Sequence, residues 1–322
     1  MNRFQVVLAA AAVAVATPVS SVAAEYPSRP VRIVVPWVAG GGTDILARVI
    51  APRLAAGLGQ QIVIDNRPGA NGIVGAEVAA KATPDGHTLV LHAVEHVING
   101  STYAKLPYDT LRDISPVGLV ASHSLVLVVL ASSPAKSVKD LIAIAKAKPG
   151  GLNYGSWGEG SLAHLSTELL KRSAGVELNH VPYKGVPQAM NDILGGRLPF
   201  MFATMPIGLQ TIKPGQTRAL AVTSRAREPL LPDVPTMIES GYPGFDVLSW
   251  RALYAPAGTP KSVIDRLNHE LMKVLQMQDV RASIANAGFA AMTSTPQELD
   301  QFGRAEFAKW AKVAKAAGVR IE

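Results

Sequence analysis

Two stretches of this chain have the make-up of an anion site. The first is Val34-Val35-Pro36-Trp37-Val38-Ala39-Gly40-Gly41-Gly42-Thr43-Asp44. A β-branched run stops at a proline, three glycines follow, and a helical pattern opens at Ile45. Glycine permits positive φ and the close approach of another group. A helix start offers free N–H groups and a partial positive charge. Strand, glycine loop and helix start together form a ready anion site. The second stretch, Leu152-Asn153-Tyr154-Gly155-Ser156-Trp157-Gly158-Glu159-Gly160-Ser161, repeats the plan. Both loops are expected to face one small anionic ligand, each from its own lobe.

Three other constellations suggest different chemistry. His92-Ala93-Val94-Glu95-His96 has the H-x-x-E-H spacing of some zinc peptidases. On a helix, His92 and His96 would share a face. The stretch follows a strand and runs into Asn99-Gly100, a turn signal, and no third ligand is evident downstream. A cleft-lining loop or plain packing is the preferred reading, and no metal is expected. Gly158-x-Gly160-x-x-Ala163 after a strand, with Glu177 about twenty residues on, matches the dinucleotide fingerprint. The same geometry serves a carboxylate equally well, and no cofactor is expected. Ser156, Ser161 and His164 raise the thought of a hydrolase. No Gly-x-Ser-x-Gly elbow exists, because Tyr154 and Glu159 stand at the needed glycine positions. Ser161 reads as an N-cap, Ser156 as a donor to ligand, and His164 as a structural or supporting residue. Asp44 either caps its own helix or touches ligand; both readings stay open.

Composition sets the frame for these loops. Hydrophobic residues make up 48% and charged residues 17%, as in a globular protein with a sizeable core. There is no cysteine, which excludes disulfides and thiolate metal sites. Residues 1–24 look like a secretory signal: Arg3, an apolar stretch, then Val22-Ala23-Ala24 before the cut. Removing them takes away Arg3 alone and lowers the formal charge from +7 to +6. The basic residues are dispersed, which argues against a nucleic-acid partner and gives a mild field for anions.

The elements that must position the loops alternate. Strands are predicted at 31–36, 61–65 and 88–91, with helices at 43–58 and 73–82 between them. Pro52 should kink or split the first helix. The rhythm predicts an α/β fold with parallel, doubly wound sheets, whose ligands bind beyond the carboxyl ends of the strands. A β-rich run at 117–130 reads as a crossing into a second lobe. There the rhythm restarts, with helices at 138–148, 161–174 and 187–194 and strands at 152–155, 180–182, 199–203 and 219–223. A second crossing is read at 245–255, followed by helices at 262–276 and 297–317. The organisation expected is a signal peptide at 1–24, the first part of lobe 1 at 25–122, lobe 2 at 123–246 and the return of lobe 1 at 247–322. One continuous α/β domain is the alternative.

The chain resembles a known family at an ordered series of segments. These are Tyr26-Pro27 through the Pro-x-x-Ala-Gly-Gly-x-x-Asp core ending at Asp44, Asn66-Arg67-Pro68-Gly69-Ala70, Pro84-Asp85-Gly86 and Lys105-Leu106-Pro107-Tyr108-Asp109. Leu152 to Ser156, Gly158-x-Gly160-Ser161-x-x-His164-Leu165, His180-Val181-Pro182-Tyr183-Lys184-Gly185, Val234-Pro235-Thr236 and Pro256-Ala257-Gly258-Thr259-Pro260 continue it. The series is similar to Bug-type, TctC-like solute-binding proteins of tripartite tricarboxylate transporters. The resemblance implies a periplasmic, non-catalytic protein with two lobes and a hinge of two crossing segments, a Venus-flytrap. It implies a small organic carboxylate as ligand, held through the two loops and often through ordered waters, and delivery to membrane transporter subunits. The implied contacts are Trp37, Ala39, Gly40, Gly41, Gly42, Thr43 and Asp44 on one side. Ser156, Gly158, Glu159, Gly160, Ser161, His164 and Thr204 supply the other. Two positions depart from the usual pattern: Trp37 stands where the family often has Phe, and Glu159 brings a negative charge into the second loop. A monomer is expected. The alternatives are a secreted α/β hydrolase or zinc enzyme, or a ligand-sensing signalling partner.

Overall fold

The computed structural model describes residues 26–322; the leader expected at 1–24 lies outside them. Along the chain come β1 (Val31–Val35), α1 (Gly42–Leu58), β2 (Ile62–Asn66), α2 (Ile73–Ala80), β3 (Thr88–Ala93) and α3 (Glu95–Thr102). A long strand, β4 (Ile114–Leu130), leads to α4 (Val138–Ala147), β5 (Leu152–Ser156), α5 (Leu162–Ala174), β6 (Leu178–Pro182), α6 (Val186–Leu194) and β7 (Phe200–Thr204). Then follow α7 (Met205–Ile212), β8 (Thr217–Val222), β9 (Leu248–Pro256), α8 (Lys261–Gln276), α9 (Gln278–Asn286), β10 (Ala290–Ala291) and α10 (Pro296–Ala317).

The strands lie in the order β2-β1-β3-β9-β4-β7-β5-β6, with β8 and β10 also paired to β4. Near-continuous β-branched runs such as Val-Arg-Ile-Val-Val make strands that can be covered on both faces. The trios β2-β1-β3 and β6-β5-β7 are parallel, as expected of βαβ units. β9 is antiparallel to β3 and to β4, and β4 is antiparallel to β7 and β8. The sheets are therefore mixed where the sequence suggests parallel ones. The reason is the pair of crossings: a strand leaving a lobe and one returning to it run in opposite directions.

β4 belongs to both lobes. Its first part, Ile114 to Ser124, pairs with β9; from Leu125 on it pairs with β7 and β8. The hand-over falls between Ser124 and Leu125. On one face, Leu46, Ile50 and Leu54 of α1 meet Leu267, Leu271 and Val274 of α8. On the other, Leu299 and Trp310 of α10 join Val94, Val97, Leu125 and Leu165 in a core that runs through both lobes. α10 opens with a capping box of Thr295 and Glu298 and ends at Gly318 in the left-handed conformation.

Some elements differ from expectation. α1 runs unbroken through Pro52. The proline deprives only the Arg48 carbonyl of a donor, and both residues are exposed, so water can replace it. α3 continues through Asn99-Gly100 where a turn is expected. Asn99 is fully buried and exchanges hydrogen bonds with Asn71, at 2.8 and 2.9 Å. A Cβ on Gly100 would stand 2.6 Å from Thr110 Oγ1 and 2.7 Å from the Phe307 ring, so this glycine serves close packing. α7, α9 and β10 are additional elements.

Candidate functional site

Four strands end at one place. The chain leaves β1 into the first glycine loop, β3 into α3, β5 into the second glycine loop and β7 into α7. Contacts tie these exits together. Gly42 lies against the Phe289 ring, close enough that a Cβ would come within 2.8 Å. Gly288, beside it, packs on Pro206 at the start of α7. Arg251 reaches Thr43, with Nε 3.4 Å from Oγ1. Glu95, at the start of α3, faces the Trp157 indole of the second loop.

The first loop is held from within. Asp44 is buried, and its carboxylate accepts hydrogen bonds from the Gly40 amide (2.9 Å), Arg48 Nε (2.9 Å) and Asn66 Nδ2 (3.0 Å). Burial by itself would raise its pKa; Arg48, the Gly40 amide and Asn66 outweigh that and hold it below the usual carboxylate range. Asn66 also donates to the Trp37 carbonyl at 3.0 Å. The Asp44 side chain thus clamps the loop and its helix start. Gly40 sits at φ +80°, which glycine adopts freely. The Gly41 amide donates to Val38 O at 3.3 Å. Gly41 is the N-cap and has no side chain to offer, so the amides of Gly42, Thr43 and Asp44 have no acceptor among the described residues. Trp37 is half-buried, edge-on to His92 at 5.0 Å, while Ala39 is exposed.

The second loop is satisfied further by its own atoms. Ser156 is fully buried, with Oγ 2.6 Å from His180 Nε2 and 2.9 Å from Gly158 O, and it accepts the Gly158 amide at 3.1 Å. The Gly160 amide donates to His164 Nδ1 at 3.1 Å, and Ser161 caps α5 by accepting from the His164 amide. His164 stacks on His180 at 3.8 Å. Burial, with His180 nearby, pushes His164 down to about 3, and burial pushes His180 down to about 4. Ser156 and His164, both implied as ligand contacts, are engaged within the loop here: Ser156 with His180 and Gly158, and His164 with the Gly160 amide. Glu159 is exposed, and Thr204 is half-buried at the end of β7, opposite Leu125.

His92 and His96 do not converge on a metal position. His92 lies 3.0 Å from Ala93 O and 3.3 Å from Gly72 O, and His96 Nε2 lies 2.9 Å from Thr110 O. Burial holds His92 at about 4 and His96 well below its ordinary value. A neutral imidazole has one N–H, and backbone carbonyls are its partners here. A small hollow of about 20 Å³ beside His96 and Thr110 is water-sized. It lies under α10, away from both loops.

Two buried charged residues near the loops, Arg251 and Glu95, are not among the expected ligand contacts, although Glu95 stands inside the His92–His96 motif. Arg251 is 8% exposed, on β9 opposite Ala93 of β3. Its Nη1 donates to Ser249 O and Oγ, both at 2.7 Å, and its guanidinium lies over Phe289, 5.1 Å from the ring centre. Burial brings Arg251 down to about 10, with Glu95 acting the other way. Glu95 is 6% exposed, and burial raises its carboxyl, opposed by Arg251 and the Trp157 N–H. For Arg251, a charged residue between Trp250 and the apolar run Ala252-Leu253-Tyr254 was the available signal.

This geometry can be set beside known proteins. The profile described as "Tripartite tricarboxylate transporter family receptor" matches residues 46–319. The chain belongs to that family. Its receptors are solute-binding proteins and not enzymes. Three solved relatives of the tripartite tricarboxylate receptor fold illustrate the likeness. The periplasmic binding protein BugD is 35% identical with a TM-score of 0.81, covering 92% of this chain and 100% of that one. Rpa4515 of R. palustris with adipate is 38% identical with a TM-score of 0.83, covering 92% and 99%. MatC from Rhodopseudomonas palustris with bound malate is 32% identical with a TM-score of 0.79, covering 89% and 99%.

Proposed function

We propose that this receptor captures a small organic carboxylate in the cleft between its lobes, in the periplasm, and delivers it to the membrane subunits of a tripartite tricarboxylate-type transporter. Residues 1–24 act as the export signal, and the lobes comprise 25–122 with 247–322, and 123–246. The protein acts as a monomer. The observation that carries the reading is the uncapped start of α1, where three amides converge without an acceptor among the described residues. A carboxylate there gains about 0.3–1 kcal/mol from the helix terminus, up to ~2 when partly buried. Each hydrogen bond to the charged group adds about 1.5–3 kcal/mol. A few such contacts reach about −8 kcal/mol, a micromolar affinity. The carboxylates named with Rpa4515 and MatC support the same class.

Gly41→Asp tests it. Gly41 has φ −73°, which any residue adopts, and a Cβ there would stand 3.2 Å from the Val38 carbonyl oxygen, so the loop must give by a few tenths of an ångström; the substitution sets a negative charge beside the free amides. Titration calorimetry against di- and tricarboxylates is expected to show at least a tenfold loss, about 1.4 kcal/mol. A thermal melt should stay close to wild type. Unchanged affinity in a folded variant would remove the first loop from the site.

A further inference from the structure

Glu95 and Arg251 carry opposite charges, are both more than nine-tenths buried, and each reaches one of the two loops: Arg251 meets Thr43 and Glu95 meets Trp157. Neither enters an ion pair among the described residues. Each nonetheless feels the other's charge. Buried opposite charges ordinarily close on one another, because an unpaired buried charge is costly. Here both are anchored apart. Two hydrogen bonds from Nη1 to Ser249 and the contact with Thr43 hold the guanidinium; its Nη2 has no hydrogen bond among the described residues. Glu95 is fixed at the first turn of α3, two residues beyond the strand position paired with Arg251, and meets its own amide and the Trp157 N–H.

We infer that Glu95 and Arg251 together select an acid that bears a hydrogen-bond donor next to a carboxylate, a hydroxy or an amino acid, over the same acid without that donor. The inference rests on the carboxylate reading above and names the class within it. Arg251, beside the free amides of α1, takes one carboxylate. Glu95 accepts from the hydroxyl or ammonium on the neighbouring carbon. An unsubstituted diacid of the same charge presents only C–H to Glu95, and the hydrogen bond is lost. A site built to hydrogen-bond an O–H or N–H discriminates strongly against the analogue lacking it. A hydrogen bond to a charged acceptor corresponds to roughly ten- to hundredfold in affinity.

Matched acids test this by calorimetry: succinate, malate and aspartate; glutarate, 2-hydroxyglutarate and glutamate; tricarballylate and citrate. In at least one set, the substituted acid is expected to bind at least tenfold tighter than its parent. Malate and citrate against aspartate and glutamate separate a hydroxyl from an ammonium donor. Glu95→Gln keeps the shape, removes the charge, and should shrink the preference at least fivefold. Arg251→Gln should weaken all acids of the set alike. Parent acids binding as tightly as their substituted forms in every set would overturn the inference and leave the carboxylate reading standing. So would an unchanged preference in folded Glu95→Gln. Failure of every acid to bind wild-type protein would overturn both. The wild-type ratios decide the matter even if a variant fails to fold.

Discussion

Thr223 is bonded to Leu125 twice. Its Oγ1 accepts the Leu125 amide at 2.8 Å, and its own amide donates to the Leu125 carbonyl at 3.0 Å. The same hydroxyl donates to Val247 O at 2.7 Å, and the Thr223 carbonyl accepts from the Val247 amide at 3.0 Å. One buried threonine therefore joins the outgoing strand β4 to the chain returning into β9, at the point where β4 changes lobe.

Thr223→Val keeps the shape and deletes the hydroxyl. It leaves the Leu125 amide and the Val247 carbonyl short of a partner, at about 1–3 kcal/mol. The melting midpoint should fall by roughly 3–10 °C, and Thr223→Ser should restore most of it. A Val variant that melts with wild type would mean that water replaces the hydroxyl.

Asp44→Ala removes the acceptor for Gly40, Arg48 and Asn66. The first loop should loosen while the α/β core persists. Amide exchange at Gly40 is expected to speed up by at least tenfold, about 1.4 kcal/mol of lost protection, with weaker acid binding. Unchanged Gly40 exchange would place the order of the loop elsewhere.

Glu159→Gln should leave acid affinity within about twofold, because exposed charges are screened. A larger change would mean that the loop turns this side chain inward when ligand binds.

Stability should fall on mild acidification. Burial lowers His92 and His180 to about 4 and His123 and His164 to about 3, and lowers His96 too. In the unfolded chain each takes a proton near 6.5. The unfolded state therefore binds more protons below that pH, and the stability lent by the neutral rings is lost as pH drops from about 6.5 towards 4. Glu95, raised in the fold, acts in the opposite sense. Thermal melts from pH 7.5 to 5 should show a steady decline; a flat profile would contradict the burial of these rings.

Much of this was legible in the sequence, for local reasons. The triplet Gly40–Gly42 and the spaced pair Gly158-x-Gly160 each stand between a strand run and a helical pattern, so both strand–loop–helix units could be read directly. The run at 117–130 had to be a long strand. Its change of partner at Ser124 could not be read, because the pairing is settled by segments distant in the chain: Ser124 pairs with Leu248 and Leu125 with Thr204. Asn99-Gly100 read as a turn because its partners, Asn71, Thr110 and Phe307, are distant in the chain. Ser156 looked free because His180 lies 24 residues on. Arg251 was hidden in a strand where its neighbours Trp250, Ala252, Leu253, Tyr254 and Ala255 face apolar cores.

The place of β9 has a consequence for how the protein comes into being. β9 is laid between β3 and β4, so Val90 must find Tyr254. A chain emerging from its N-terminus can assemble β2-β1-β3 early, yet it cannot join that trio to β4 until residue 256 has been made. Contacts of such long reach form slowly. Synthesis is then four-fifths complete before the molecule can lock. Under the export proposed above, that delay would keep the chain unlocked while it is threaded through a membrane.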